Sequence, residues 1–446
     1  MKKPFFLSFT LLVLFSFEIA SQNGFRFLND KKSKQRISFK LINNLIVMPL
    51  EINGQKLSFI LDSGVSKTIL FNISQNDSIG LNDVERVELR GLGDGESVKA
   101  LLSKNNKISI NNIVSTNETI YVVLKDNFDL SAKMGITIHG IIGYNLLRNF
   151  IVKINYNTTK INFYNSNKFK YKSCRKCEVF PIQFYRKKPF IDAQVQLDTV
   201  GNALTDVKLL VDSGGSDAIW LFEGTKKNIK TPKRYFKDIL GEGLSGAILG
   251  NRSRIPKIKL KSFEIIKPTA SFLDTVSTRN ARSYRRRNGS IGADVLRRFI
   301  VWFDYENRKL ILKKNGSFAK GFNYNMSGLD IVYSGKQLVR EKDNKNSTDA
   351  YNQGLSSKNS ISFITSFSYR FKPSFKIKGV LKNSPAERAG LLKEDIILKI
   401  NNTPSYEYSL NKIINLLQEK KGKRIRMVVE RNGQRMKFEF YLEQKV

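Results

Sequence analysis

The sequence holds one histidine, two cysteines and two tryptophans in 446 residues. A single imidazole, His139, excludes a metal centre built on several histidines, and no metal or other cofactor is expected. Its neighbours Ile138, Ile141 and Ile142 are apolar, so a structural place at a strand end is the expectation for it. A Ser-His-Asp triad would have to use this one residue, and no Gly-x-Ser-x-Gly nucleophile elbow is present. The cysteines stand together in Ser-Cys174-Arg-Lys-Cys177-Glu, within a basic, linker-like stretch. Either they pair, as an exported chain allows, or they lie idle; a redox dithiol would open a helix after a strand, a context this stretch lacks. Long apolar runs are also missing: none after residue 20 reaches membrane-spanning length.

Acidic residues are scarce relative to basic ones, 39 against 76, for a formal charge of +37. The lysines and arginines are spread along the whole chain, and no base-stacking or groove-reading motif goes with them, so specific nucleic-acid binding is not expected. The positive field favours acidic partners and stabilises ionised carboxylates. At the N-terminus Lys2 and Lys3 precede an almost wholly apolar run from Pro4 to Ala20, with small residues at Ala20 and Ser21. This reads as a secretory signal over residues 1–21, too short for a spanning anchor and followed at once by polar sequence. The expectation is an exported protein, periplasmic or secreted, with no stable membrane span once the signal is removed.

What the chain does contain is an internal repeat. Residues 58–71 read Ser-Phe-Ile-Leu-Asp-Ser-Gly-Val-Ser-Lys-Thr-Ile-Leu-Phe, and residues 208–222 read Lys-Leu-Leu-Val-Asp-Ser-Gly-Gly-Ser-Asp-Ala-Ile-Trp-Leu-Phe. Each is an apolar strand, then Asp-Ser-Gly, then a second apolar strand. Asp62 and Asp212 are 150 positions apart. A second pair follows: Gly143 matches Gly292, Phe150 matches Phe299 and Tyr156 matches Tyr305, each at a spacing of 149. The chain therefore reads as two homologous, mostly β lobes. Short helices are expected at 145–149 and 294–298, just after the two glycines, and a hairpin ends each lobe, 150–156 with 160–164 and 299–305 with 309–313.

One Asp-Ser-Gly is ordinary turn chemistry. Two of them, each at the end of a buried strand, are different: burying a lone carboxylate is costly, whereas two that share a proton around a water form a working unit. Over residues 35–315 the sequence resembles the aspartic peptidases of the retroviral and pepsin types. The motifs are Asp62-Ser63-Gly64 with Ile141-Ile142-Gly143, and Asp212-Ser213-Gly214 with Ile291-Gly292; Ser290 departs from the usual apolar residue.

The resemblance implies two pepsin/retropepsin-like β-barrel lobes in one chain and an Asp62/Asp212 catalytic dyad. Ser63 and Ser213 would brace the facing turns, and Gly64 and Gly214 would admit the backbone close to the carboxyls. Pepsin-type enzymes carry a hydroxyl residue after the glycine, where this chain has Val65 and Gly215. The loss of that hydrogen bond to the ionised form points to a less acidic optimum than pepsin's. Two glycine-dense hairpin tips are flap candidates, Gly91, Gly93 and Gly95 in the first lobe and Gly241 and Gly243 in the second; neither carries the flap tyrosine typical of pepsin.

Past residue 316 the pattern changes, and residues 341–361 are polar and aperiodic. Ser384-Pro385-Ala386, Ala389-Gly390-Leu391 and Asp395-Ile396-Ile397, followed by helical spacing from Leu410 to Gln418 and a closing hairpin, resemble a bacterial PDZ domain. The resemblance implies a groove for a peptide C-terminus, placed at Phe375, Ile377, Leu410 and Ile414, although no glycine-containing carboxylate loop precedes Phe375.

The expected organisation is a signal at 1–21, lobe one at 22–170, lobe two at 171–316, a linker and lead-in at 317–372 and the PDZ-like module at 373–446. The expected activity is peptide-bond hydrolysis on a peptide or protein substrate, with the PDZ module presenting substrate or partner. The duplicated lobes make a monomer sufficient for the site. The competing reading is a catalytically silent peptidase fold that binds peptides through its PDZ module.

Overall fold

Strands form where Val, Ile, Phe and Tyr cluster, because branched and aromatic side chains pack well on a pleated surface. Asparagine sits where the chain reverses: Asn43 and Asn44, Asn53 and Asn432 all adopt the left-handed conformation that tight hairpins need and that asparagine tolerates. The computed structural model describes residues 24–29, 31–73, 79–89, 97–124, 130–243, 246–343 and 366–446; the expected signal lies outside them. The chain is mostly β, as its composition suggested.

The two halves repeat one strand order. In the first, the central strands lie side by side as Ile113–Val123, Thr68–Leu70, Gly140–Ile142, Gln55–Leu61 and Leu45–Ile52. In the second the order is Thr269–Leu273, Ile219–Phe222, Gly289–Ile291, Thr205–Val211 and Lys188–Gln196. In each, the short strand ending in Ile-Gly slots between the acid-bearing strand and its return, parallel to the first and antiparallel to the second. Short helices follow both glycines, Tyr144–Leu147 and Ala293–Leu296.

A further six-stranded sheet ties the halves together. Its central pair is Ile151–Asn155 against Phe299–Asp304, antiparallel, with Ile154 opposite Val301. The expected hairpins supply the neighbouring strands, Lys160–Tyr164 and Lys309–Lys314. One apolar core runs through both lobes and includes Phe59, Leu61, Phe163, Phe299 and Phe303. Each such side chain, fully buried, stabilises the fold by roughly 2 kcal/mol. His139 has the structural place expected of it, accepting a hydrogen bond at Nδ1 from the Ser58 amide at 3.1 Å. Cys174 and Cys177 are joined as a disulfide.

The C-terminal module has its own core, around Ile331, Phe375, Ile377, Leu391, Ile397 and Ile425. Two expectations about it change. The stretch 317–372, read as linker and lead-in, contributes the strand Leu329–Asp343, which pairs along its length with Ser366–Val380. That strand takes the sheet edge, so Phe375 and Ile377 lie on an interior strand flanked on its other side by Ile396–Ile400. They are buried core residues and cannot receive an added strand. The sequence concealed this because the edge strand lies before a long polar insertion, outside the stretch where the module's motifs cluster. The groove lies instead between the start of Leu329–Asp343 and the helix Leu410–Leu416, and a glycine with left-handed backbone, Gly328, directly precedes the strand. Leu410 and Ile414 remain on its helical wall.

Leu329 and Ile414 line a cavity, and the first lobe packs against one end of this groove. Its helix Leu130–Met134 packs against both the edge strand and the helix Leu410–Leu416. At Gly135, with φ of +67°, an added Cβ would stand 2.9 Å from Leu410 Cβ. The side-chain Nδ2 of Asn43 donates to the Lys133 carbonyl at 3.1 Å. A Gly135→Val substitution is therefore expected to push the module off the first lobe. Amide hydrogen exchange should show joint loss of protection in residues 130–134 and 410–416; unchanged protection would mean the contact does not hold the module in place.

Candidate active site

Each acid is delivered by its strand. Gln55–Leu61 ends at Asp62, and Thr205–Val211 ends at Asp212. The slotted strands fix the backbone there: the Asp62 amide donates to the Ile142 carbonyl at 2.9 Å and the Asp212 amide to the Ile291 carbonyl at 3.0 Å. Gly143 and Gly292 are close-approach positions, since a Cβ on them would meet the Asp62 carbonyl oxygen at 2.0 Å and the Asp217 carbonyl oxygen at 2.2 Å.

The two Asp-Ser-Gly turns then grip one another. The Ser63 amide donates to Ser213 Oγ at 2.9 Å, and the Ser213 amide to Ser63 Oγ at 3.0 Å. The hydroxyls donate onward, Ser63 Oγ to the Val211 carbonyl at 2.7 Å and Ser213 Oγ to the Leu61 carbonyl at 2.8 Å. Both serines are buried, so every bond is made away from water, where losing one leaves a polar group unsatisfied. The grip brings Asp62 and Asp212 within hydrogen-bonding reach of each other. A Cβ on Gly214 would stand 2.3 Å from Asp62 Oδ2, so only glycine admits the facing carboxyl.

The surroundings of the two acids differ. Asp62 Oδ1 accepts one backbone hydrogen bond, from Gly64 at 2.7 Å. Asp212 Oδ1 accepts two, from Gly214 at 3.1 Å and Gly215 at 2.9 Å. Burial pushes the Asp62 carboxyl far above the usual carboxylate range, the charge of Asp212 adds to this, and the Gly64 amide and Lys188 only partly offset it.

Three basic or acidic groups near the pair carry no motif and were missed in the sequence. Lys188 opens the strand opposite Asp212 and interacts electrostatically with both acids; burial, and then Arg287, pulls its ammonium below the usual lysine range. Arg287 is buried, donating to the Gly289 carbonyl at 3.1 Å and to Ser290 Oγ at 2.7 Å. Burial lowers its guanidinium to about 10, against the pull of Asp212. The serine that departs from the apolar pattern is thus the partner of a buried arginine. Asp217, five residues after Asp212, accepts from Trp220 Nε1 at 2.7 Å and from Arg252 at 3.0 Å, and Arg252 also donates to Asp238 at 2.6 Å. Burial works against the charge on Arg252, but the two aspartates outweigh it. Only the register of the sheet could have revealed these partners.

Arg252 and Asp238 lie on the hairpin Phe236–Gly243 with Gly246–Arg254, and the Arg252–Asp217 ion pair pins it to the loop behind Asp212. Gly241 and Gly243 fall on its first strand, paired with Ile248 and Gly246. Gly91, Gly93 and Gly95 lie outside the described residues, beyond the strand Val84–Leu89. A cavity of about 700 Å³ opens where both lobes meet the C-terminal module, lined by Asn44, Asp217, Arg252, Leu329, Leu381 and Ile414; neither acid of the pair lines it. No helix among the described residues is long and apolar enough to cross a membrane, and no cluster of metal-ligating side chains is found among them.

Residues 48–146, which span the first Asp-Ser-Gly turn and its slotted strand, match the family model described as aspartyl protease. Residues 376–431 match the one described as PDZ domain. No curated protein matches the chain. With the first match resting on the turn that carries Asp62 and the second on the C-terminal sheet, the chain carries an aspartyl protease domain and a PDZ domain.

Proposed function

We propose that this protein is an aspartic-type endopeptidase that hydrolyses peptide bonds with water, using Asp62 and Asp212. The observation that carries the reading is the reciprocal Ser63–Ser213 bonding, which holds two partly buried carboxyls face to face. Two carboxyls at that separation do not both ionise readily, so one proton is shared. We assign the proton to Asp62, which has one amide donor and a raised affinity for it, and the charge to Asp212, which has two amide donors. Asp212 then takes a proton from water as the oxygen attacks the peptide carbonyl carbon, and Asp62 gives its proton to the carbonyl oxygen. Collapse of the resulting gem-diol, with a proton passed to the amine, breaks the C–N bond. The hairpin held by Arg252 would close over the substrate. An exported, periplasmic or secreted setting, with a protein substrate, fits this reading.

The competing reading, a silent fold that binds peptides through the PDZ module, has less support, because both Asp-Ser-Gly turns are intact.

Asp62→Asn and Asp212→Asn should each lower cleavage of a mixed peptide library by at least about a hundredfold, and a pepstatin-type inhibitor should block the wild type. Equal cleavage by all three proteins would reject the dyad. The pH profile of cleavage should peak above about pH 3, since burial and the second carboxyl favour the singly protonated pair; a peak below that contradicts this account. Stability supplies a separate check. Because the Asp62 pKa is raised on folding, its stabilising contribution is complete below the unfolded value and is lost as pH rises towards the folded one. Asp62→Asn should therefore melt near wild type at about pH 4 and at least about 2 °C higher at neutral pH. A difference that does not grow with pH would show that Asp62 ionises freely.

A further inference from the structure

The two halves of the cleft present different chemistry at equivalent positions. In the first lobe the ladder pairs Val47 with Ile60; two residues further, Leu45 stands across from Asp62. In the second the ladder pairs Phe190 with Leu210; two residues further, Lys188 stands across from Asp212. Residues directly opposite in an antiparallel pair project to the same face. Lys188 therefore shares the face of Asp212 as Leu45 shares that of Asp62. A second exchange accompanies this one: Arg287 takes the repeat position of Ile138, at the same spacing of 149 that relates Gly143 to Gly292. Leu45 and Ile138 are buried together in an apolar cluster of the first lobe.

The turn that delivers Lys188 is unusual. Each acid-facing strand is entered by a two-residue hairpin turn with both central residues left-handed. The first lobe uses Asn43 and Asn44, with φ of 48° and 68°, which suits asparagine. The second uses Arg186 and Lys187, with φ of 47° and 64°. Such a conformation costs roughly 1 kcal/mol per residue for ordinary side chains. Arg186 and Lys187 are exposed, while Lys188 is only partly buried and so is not sealed into the core.

The charges do not cancel. A singly protonated pair carries one negative charge, against the cations of Lys188 and Arg287 beside it. Arg186 adds to the field at Lys188, and Lys187 lies over the ring of Tyr144 at 5.7 Å. Asp217, the next acid along the chain, is already held by Arg252. The second-lobe side of the cleft keeps a surplus of positive charge, whereas the equivalent first-lobe position is the buried, uncharged Leu45.

Resting on the reading of this cleft as a peptide-hydrolysing site, we infer that Lys188 is a specificity-determining residue, selecting an acidic substrate side chain beside the scissile bond on the second-lobe side. The favoured substrates are peptides with Asp or Glu on that side. A charged pair made in a partly desolvated cleft is strong enough to discriminate between side chains of equal size.

The test uses the full chain and two peptide sets, each carrying Glu, Gln or Lys in turn at the residues flanking the central bond. One set is cleavable; in the other a hydroxyethylene unit replaces that bond, so binding is read without turnover. At one flanking position Glu should outperform Gln by about tenfold or more, and Lys should be worst. Lys188→Met should erase the preference, Lys188→Arg should keep it and Lys188→Glu should invert it towards Lys. Cleavage without charge preference in the wild type overturns the inference and leaves the peptidase reading intact. Charge-selective, Lys188-dependent binding without any cleavage does the reverse. A preference that survives in Lys188→Met, with the protein folded by circular dichroism, also overturns the inference.

Discussion

Ser63 and Ser213 make four hydrogen bonds across the boundary between the lobes, two of them to each other and all of them buried. Each serine is at once the acceptor of the other turn's amide and a donor to the strand beyond it, so neither turn is satisfied without its counterpart. This mutual dependence is what sets two carboxyls side by side in a place shielded from water. Such an arrangement is costly unless the pair keeps a proton, and the raised proton affinity of Asp62 follows from that constraint. The sheet shared by Ile151–Asn155 and Phe299–Asp304 works to the same end, because it stops the halves from sliding apart.

Duplication gave the scaffold its symmetry, but the contents of the two halves have diverged. Strand order, slotted strands and Asp-Ser-Gly turns coincide. The side chains behind them do not: Leu45, Ile138 and Ile141 in one half face Lys188, Arg287 and Ser290 in the other. Ser290 is intelligible only through Arg287, whose guanidinium it accepts. An apolar residue there would leave a buried charge short of a partner. The asymmetry also divides the work of the acids, since Asp212 accepts two backbone amides where Asp62 accepts one.

The C-terminal module is joined to this centre by a short path along the backbone. The first-lobe helix Leu130–Met134, which packs into its groove, leads within a few residues to Gly140–Ile142, and the Ile142 carbonyl accepts the Asp62 amide. The contact at Gly135 leaves no room for a side chain. A module resting on this segment braces the strand that positions one of the two acids.

The duplicated acids, their serines and glycines, the two lobes and the C-terminal module were all legible in the sequence. They are carried by contiguous motifs, and local chain order fixes which residue ends a strand and which begins a turn. The partnerships of Lys188, Arg287 and Arg252 were not legible, nor was the edge strand Leu329–Asp343 that relocates the groove from Phe375 and Ile377. Those depend on which strands lie side by side and in what register. Register is settled by packing between segments far apart in the chain, so no reading of neighbouring residues could supply it. The sequence by itself determined that two strand-end acids exist in matched halves; only the tertiary structure decided what charge and what shape surround each of them.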